Sequence, residues 1–234
     1  MKILLCNFWY GLDSDWKYLS YITHQIWKKK HERIALEKLR DLIIKEDPDI
    51  ICICEITDGQ LNSPIIQDLN YIFNASTKYS KDDKIGKYIF WHHRLNIILT
   101  KKEYTSQKIY LSHGTKKLIY KFQIEKDMFL YFGHFSLRRN IRKKQFLELW
   151  KIIDSSKKNI ICGDFNIFWW TAELQELANI ARLKIYSPWK TFPAHTPKYY
   201  FDMFLVSEDV WFDVEILPDI LSDHLAINGK YIIS

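Results

Sequence analysis

The sequence predicts an α/β sandwich built from mixed β-sheets, and three observations lead to that prediction. Apolar runs of strand length recur along the whole chain, rich in Ile, Tyr and Phe and bounded by polar clusters. A few segments with helical spacing lie between these runs. Strands and helices do not alternate one for one, which argues against a regular array of parallel βαβ units.

Eight strands are expected from the apolar runs. They comprise residues 3–6, 50–54, 95–99, 117–122, 128–132, 159–162, 201–206 and 214–217. Isoleucine and aromatic residues dominate them, as expected for strands that are buried on one or both faces.

Three helices are expected between the strands. The first covers residues 24–46 and ends before Pro48, because a proline disfavours helical geometry in the residue that precedes it. The second covers residues 141–153. Its buried stripe is expected to consist of Phe146, Leu149, Trp150 and Ile153. The third follows Thr171, a candidate N-cap, and ends near Arg182.

The composition predicts one globular domain spanning residues 1–234. The chain has 47% hydrophobic and 16% aromatic residues, whereas seven Gly and six Pro argue against a disordered or linker-rich protein. No internal repeat or low-complexity tract interrupts it. We therefore expect a single domain, and we expect it to be a monomer.

The net charge indicates which class of partner to expect, and the cysteines indicate the cellular compartment. A net charge of +6 with a pI near 8.9 favours a polyanionic partner, nucleic acid before membrane. The four cysteines lie in apolar runs without a Cys-x-x-Cys motif, so buried reduced thiols are expected. The initial apolar run is too short for a signal peptide, and no bilayer-spanning run is present. We expect a cytoplasmic protein without a membrane partner.

Polar residues recur where the apolar runs end. They are Asn7, Glu55, His134, Asp164, Asn166, Asp223 and His224. Asp202 differs because it lies inside an aromatic run, where a buried acid needs a partner and a histidine is the natural one. A lone polar residue at a strand end is usually solvated. Together, however, carboxylates, an amide and an imidazole are suited to holding a divalent cation and activating water against a phosphate ester.

The order of these residues resembles the endonuclease/exonuclease/phosphatase superfamily, which includes deoxyribonuclease-I-like nucleases and abasic-site endonucleases. The resemblance runs from Asn7 to His224. Its motifs are a Pro-Asp before the strand that ends at Glu55, a helix with Arg and Gln after His134, Gly-Asp-x-Asn at residues 163–166, Thr-Phe-Pro at 191–193 and Ser-Asp-His at 222–224. Each motif is common alone, and their shared order carries the resemblance.

The sequence departs from the family pattern at four positions. Cys54 stands where a Gln is usual, Phe135 where a Leu is usual, Met203 where a His or Tyr is frequent, and Trp169 where a Pro is common. None of these changes removes a group that does chemistry. Because Cys54 and Met203 change the surroundings of the site, the resemblance does not determine the catalytic rate or the preferred metal.

The resemblance implies a four-layer α/β/β/α sandwich of two mixed sheets flanked by helices. It also implies a phosphodiesterase that uses Mg²⁺, with Mn²⁺ as the second metal that oxygen-rich ligands suit. The implied metal ligands are Asn7, Glu55 and Asp223.

The resemblance also assigns the remaining polar residues. His224, oriented by Asp202, is implied to be the general base or a donor to the phosphate. Asp164 is implied to position or deprotonate the attacking water. Asn166 and His134 are implied to hold the non-bridging oxygens. Whether Asp164 or His224 takes the proton stays open.

Two sequence features favour nucleic acid as the substrate, and DNA in particular. A basic stretch after His134 is expected to contact a phosphate backbone, and two adjacent tryptophans are expected to stack on a base or sugar. These residues are Arg138, Arg139, Arg142, Trp169 and Trp170. A basic stretch at a helix start is more often a solvated face, and the two tryptophans are equally compatible with core packing.

The sequence thus predicts a DNA endonuclease or repair-type nuclease. The alternatives are a phosphatase or phospholipid phosphodiesterase of the same superfamily and a catalytically inactive nucleic-acid-binding module. Against an inositol phosphatase, no Pro-x-Trp-x-Asp-Arg element precedes the strand that carries Asp202. Retention of every chemical group argues against the inactive module.

Overall fold

The computed structural model describes residues 1–8, 20–76, 94–168, 172–187 and 189–231. The strands in these residues are β1 (Lys2–Asn7), β2 (Ile50–Thr57), β3 (Ile72–Ser76), β4 (Arg94–Thr100), β5 (Thr105–Tyr110), β6 (Leu118–Glu125), β7 (Met128–His134), β8 (Lys158–Ile167), β9 (Leu183–Tyr186), β10 (Tyr200–Ser207), β11 (Phe212–Ile220) and β12 (Leu225–Tyr231). The helices are α1 (Ser20–Glu46), α2 (Asp58–Leu61), α3 (Pro64–Gln67), α4 (Arg139–Ile152) and α5 (Ala172–Ala181).

The strands form two six-stranded sheets. The first has the order β11-β12-β1-β2-β4-β3 and the second β5-β6-β7-β8-β10-β9. Within each sheet one central pair is parallel, β1 with β2 and β7 with β8, and the other pairs are antiparallel. The predicted sandwich of mixed sheets is therefore confirmed.

Three apolar clusters separate four layers. One lies between the two sheets and includes Leu5 and Phe132. A second joins the outer face of the first sheet to α1 through residues such as Leu39. The third joins the outer face of the second sheet to α4 and α5 through Leu149 and Leu177. Because both faces of the central strands are buried, these strands appear in the sequence as continuous apolar runs.

The structure extends and corrects the sequence-based elements. Every predicted strand is present, but β3, β5, β9 and β12 were missed. β5 carries mostly exposed polar residues at a sheet edge, so apolar periodicity does not mark it. In α4, Trp150 is 37% exposed and does not belong to the buried stripe, where Arg142 and Gln145 are found instead. The proposed N-cap Thr171 lies outside the described residues.

The cysteines agree with the composition-based expectation. Cys6, Cys52, Cys54 and Cys162 are all buried free thiols, as predicted. None of the helices in the described ranges is both long enough and apolar enough to cross a membrane.

Candidate active site

Asp164 lies at the centre of the polar cluster. Asn7 Nδ2 donates a hydrogen bond to Asp164 Oδ2 at 2.9 Å, and His134 Nε2 lies 3.2 Å from the same oxygen. The backbone N–H of Asn166 donates to the other oxygen, Oδ1, at 2.9 Å. The contact with His134 arises because β7 and β8 pair in parallel, which places His134 beside Asp164. Asn7 ends β1 in the first sheet and Asp164 lies in β8 of the second, so their hydrogen bond joins the two sheets across 157 residues of chain.

Asp202 and His224 form a buried pair. Nδ1 of His224 lies 2.7 Å from Oδ2 of Asp202. Thr191 Oγ1 donates to the same carboxylate oxygen at 2.7 Å and accepts a hydrogen bond from the backbone N–H of Asp202 at 3.2 Å. With the carboxylate holding Nδ1–H, the imidazole is fixed in orientation. A histidine partner for Asp202 was expected from the sequence, and the geometry provides it.

The Ser-Asp-His segment, residues 222–224, is held from two sides. Ser222 Oγ donates to the backbone carbonyl of Asn7 and accepts from the backbone N–H of His224 at 3.1 Å. On the other side, the Ala194 N–H donates to the backbone carbonyl of Asp223 at 2.8 Å. The loop between β11 and β12 is therefore tied both to β1 and to the segment that carries Thr191.

Glu55 is held by two cations. Arg94 Nη1 lies 2.6 Å from Glu55 Oε2, and Lys116 Nζ lies 3.2 Å from Oε1. Nδ1 of His134 is 3.7 Å from the same Oε1. Burial opposes the charged form of Glu55, but Lys116, His134 and Arg94 together hold its pKa below the ordinary value.

Glu55 and Asn166 both lie where the register of their strand shifts and the backbone φ is positive. Between Ile53 and Ile56 the register of β2 on β4 shifts, and Glu55 at this bulge has a φ of 62°. The register of β8 on β10 shifts similarly beside Asn166, whose φ is 54°. Left-handed backbone costs a residue with a side chain roughly 1–2 kcal/mol. Strain of this kind concentrates at functional sites, where the surrounding structure fixes it.

The pKa of Asp223 is raised to about 7. Burial is the main cause, and the nearby carboxylates of Glu55 and Asp164 add to it, while His224 opposes them. Asp223 Oδ1 is buried and has no hydrogen-bond partner within the described part of the chain. An acid in this position is stabilised by any cation that binds beside it.

The pKa values of Asp164 and His134 are both lowered. Burial favours the protonated form of Asp164, yet the adjacent His134, together with His224 and Lys116, holds its pKa well below the ordinary value. Burial, with Lys116 beside it, lowers the pKa of His134. At neutral pH the cluster therefore contains an aspartate and a neutral imidazole.

His224 is protonated at neutral pH. Burial would lower its pKa, but Asp202 and Asp223 outweigh burial and raise the value to about 10. For Asp202, burial raises the pKa and Asp164 adds to the rise, whereas the ion pair with His224 opposes it. The pair is best described as an imidazolium held by a carboxylate.

The donor set fits a hard divalent cation. Four buried acids, Glu55, Asp164, Asp202 and Asp223, supply the oxygen ligands that Mg²⁺ and Mn²⁺ take. Ligand atoms of Asp164, Asp202 and His224 lie within 4.8 Å of one another. Asp202 and His224 already satisfy each other, however, whereas Asp223 keeps an unpartnered oxygen in the described structure. Asp223 therefore offers an oxygen to a cation, and the carboxylate of Glu55 lies close enough to raise its pKa.

The residues predicted to bind nucleic acid divide into three cases. Arg138 is exposed, and Arg139 is largely exposed with its Nε 3.4 Å from Glu173 Oε1. The prediction for Arg142 was wrong, because this side chain is only 2% exposed and pairs with both carboxylate oxygens of Glu173. Trp169 and Trp170 lie outside the described residues.

Arg142 and Gln145 instead fix the loops around the site. Arg142 Nη1 donates to the carbonyls of Ser136 and Leu137, two and three residues after His134. Gln145 accepts from the Ser136 N–H and donates to the carbonyl of Lys116. Two polar residues buried in α4 thereby hold the segments that carry His134 and Lys116.

Aromatic rings surround His224. The ring of Phe192 lies 4.9 Å from the imidazole and stacks on Phe201 at 4.8 Å with an interplanar angle of 9°. Tyr199 stacks on Phe201 at 5.7 Å, and Phe168 meets Phe201 edge-on at 4.9 Å. Phe201 is buried, whereas Phe168, Phe192 and Tyr199 are half-buried. Flat apolar surface is therefore present beside the polar cluster.

Sequence reasoning missed Lys116 and Arg94. Lys116 belongs to a connection between strands, where a lysine is ordinarily solvated, and only the fold brings it to Glu55. Arg94 begins β4 and is 8% exposed, an unusual burial for an arginine that the local sequence does not mark.

With this geometry in view, comparison with protein families matches residues 28–224 to the Endonuclease/Exonuclease/phosphatase family. The chain belongs to this family, whose members are hydrolases that act on phosphoester bonds and generally use divalent metals. A comparison with curated protein sequences found no match.

Solved structures share the fold at low sequence identity. A mannosyl-6-phosphatase from Bacteroides thetaiotaomicron is 11% identical with a TM-score of 0.73, covering 100% of both chains. Truncated TDP2 from Caenorhabditis elegans is 18% identical with a TM-score of 0.68, covering 99% of this chain and 97% of that one. The human Nocturnin catalytic domain is 16% identical with a TM-score of 0.66, covering 99% and 94%.

Proposed function

We propose that the chain is a Mg²⁺-dependent phosphodiesterase that cleaves nucleic acid, with DNA as the favoured substrate. The observation that carries the proposal is the buried cluster in which Asp164, the Asp202–His224 pair and Glu55 lie together. Acids held beside an imidazolium suit attack by water on a phosphodiester. Mn²⁺ is the alternative metal.

Asn7, Glu55 and Asp223 are the residues proposed to hold the cation. When bound, such a cation polarises the scissile phosphate and offsets charge on the leaving oxygen. The unpartnered oxygen of Asp223 and the mutual repulsion of the acids support this assignment. The role of the protein here is to supply oxygen ligands in fixed positions.

The chain's own residues account for the proton movements. Asp164, ionised and hydrogen-bonded to Asn7, orients the attacking water and takes its proton as the new P–O bond forms. His224, protonated at neutral pH, gives a proton to the leaving oxygen as the old P–O bond breaks. Asn166 and His134 hold the non-bridging oxygens. This division of work favours Asp164 over His224 as the proton acceptor.

Two observations support nucleic acid over a small phosphoester. The half-buried rings of Phe192, Tyr199 and Phe168 beside His224 offer faces on which a base or sugar can stack. The exposed Arg138 follows the segment that holds His134 and suits a contact with the next phosphate.

A substrate panel tests the proposal. Purified protein is given supercoiled plasmid DNA, bis-p-nitrophenyl phosphate, p-nitrophenyl phosphate and sphingomyelin, each with Mg²⁺ and with EDTA. Mg²⁺-dependent nicking of the plasmid and turnover of the diester are expected. Turnover of the monoester alone indicates a phosphatase, and release of phosphocholine alone indicates a phospholipid phosphodiesterase. Binding of DNA without turnover of any substrate indicates an inactive binding module.

A further inference from the structure

Lys116 forms an ion pair with Glu55, one of the residues proposed above to hold the divalent cation. Its Nζ lies 3.2 Å from Glu55 Oε1 and contacts Nε2 of His134. The lysine side chain is 18% exposed and the glutamate side chain 7% exposed. The ammonium group therefore enters the cluster and does not extend into solvent.

The fold holds the backbone of Lys116 firmly. The side-chain amide of Gln145, which is fully buried in α4, donates to the backbone carbonyls of both His113 and Lys116. Gly114 in the same connection has a φ of 83°, and a Cβ there would lie 2.9 Å from Gln145 Nε2. The connection between β5 and β6 therefore packs closely on α4. This packing fixes the backbone of Lys116 near the cluster.

Arg94 and Lys116 hold Glu55 differently. Arg94 is in a central strand, is 8% exposed and contacts Oε2 at 2.6 Å. Lys116 reaches Oε1 from a connection with a flexible four-carbon side chain, so it can leave that oxygen while its backbone stays in place. Oε1 is therefore the oxygen that can exchange one cation for another.

We propose that Lys116 competes with the divalent cation for Glu55 Oε1 and, once displaced, binds a non-bridging oxygen of the phosphate. Two cations on one carboxylate oxygen repel each other strongly at low dielectric, so binding of the metal drives the ammonium away. Lys116 already contacts His134, which the mechanism above places at the phosphate oxygens, so an ammonium that leaves Glu55 has a phosphate oxygen within reach. This inference rests on the proposed function of the site and makes Lys116 part of its chemistry.

Metal affinity is the direct test. Mn²⁺ binding to the whole chain is measured by titration with detection of free Mn²⁺ by electron paramagnetic resonance. Lys116→Gln is expected to bind Mn²⁺ about tenfold more tightly than the wild type, because the competing charge is gone. Lys117→Gln, the same substitution one residue along, is expected to leave the affinity unchanged. In a Glu55→Gln background, Lys116→Gln is expected to give no gain.

Equal or weaker Mn²⁺ binding by Lys116→Gln overturns the inference, as does a gain that persists without Glu55. Thermal unfolding of each variant reports whether it folds, and Lys116→Met serves as the second variant if Lys116→Gln does not. The phosphate step is tested by adding inorganic phosphate as a competitive inhibitor, and Lys116→Gln is expected to raise its Ki about tenfold. An unchanged Ki contradicts that step. The two proposals can also fail separately. If Lys116→Gln binds Mn²⁺ more tightly but the wild type cleaves no diester, the competition at Glu55 stands and the proposed phosphodiesterase function does not.

Discussion

At the residue scale, the site depends on acids that are buried close to one another. Asp223 is the clearest case, because burial and its neighbours Glu55 and Asp164 raise its pKa to about 7. An acid whose pKa is higher in the folded state binds more protons folded than unfolded between its two pKa values. The contribution of Asp223 to stability therefore falls as pH rises from about 4 to about 7.

Asp223→Asn is expected to remove that pH dependence. In EDTA, the free energy of unfolding of the variant should decline less than that of the wild type between pH 4 and pH 7. At pH 8 the variant should be more stable, by an amount on the order of 1–4 kcal/mol. Urea unfolding at a series of pH values measures this. Identical pH profiles for the two proteins would show that burial and neighbouring carboxylates do not raise the pKa of Asp223.

The residues with acid, amide and imidazole groups could be predicted from the sequence, whereas the cations around them could not. Asp164 and His224 belong to short motifs with fixed neighbours, so order along the chain was enough to find them. Lys116 and Arg94 reach Glu55 only through pairing of strands and packing of α4. Arg142 was misassigned because a basic run at a helix start does not reveal which of its members turns inward.

At the element scale, the close approach of β7 and β8 is what brings His134 to Asp164. A Cβ on Gly163 would lie 1.8 Å from the carbonyl oxygen of Gly133 on the paired strand, and the φ of Gly163 is 152°. The glycine of the Gly-Asp-x-Asn motif is therefore required by backbone packing, independently of the chemistry of the aspartate.

Gly163→Ala is expected to destabilise the protein by about 3 kcal/mol or more, because the strands must separate and the backbone is strained. Gly59→Ala is the matched control, since no atom lies within 4 Å of its added Cβ. Guanidinium unfolding of both variants gives the comparison. Equal stability of the two would show that β7 and β8 can separate at little cost.

Arg142 joins α4 to α5 through Glu173, and both side chains are buried. Arg142→Met leaves the buried carboxylate of Glu173 with only the more distant, largely exposed Arg139, and it is expected to cost about 3–5 kcal/mol of stability. Arg138→Met, at an exposed position one turn away, is expected to leave stability unchanged and to weaken salt-dependent DNA binding instead. Unfolding by urea and binding to duplex DNA at several salt concentrations separate the two effects. A stable Arg142→Met that loses DNA affinity would restore the original assignment of this residue.

The sequence could not predict where strands continue through β-bulges, or which segments form strands at the edge of a sheet. The runs that became β2 and β8 were expected to stop before Glu55 and Asp164, yet both strands continue through the site. The bulges that allow this appear only when the partner strand is known. Edge strands such as β5 bury little apolar surface, so their composition resembles that of a loop.

At the scale of the whole molecule, the four layers follow from composition and pattern. Continuous apolar strands need cover on both faces, and the helices α1, α4 and α5 provide it on the two outer faces. The substrate does not follow in the same way, because one fold carries several phosphoester chemistries. Structures that share this fold include a mannosyl-6-phosphatase and TDP2, at 11% and 18% identity.

The roles of Asp164 and His224 are tested by Mg²⁺-dependent nicking of supercoiled plasmid by the wild type, Asp164→Asn and His224→Ala. Trp211→Ala, at a side chain that is 67% exposed and follows the far end of β10, is the control. The wild type and the control are expected to nick at equal rates, and each site variant about 10²–10⁴-fold more slowly. Wild-type rates in both Asp164→Asn and His224→Ala would contradict the account of the site.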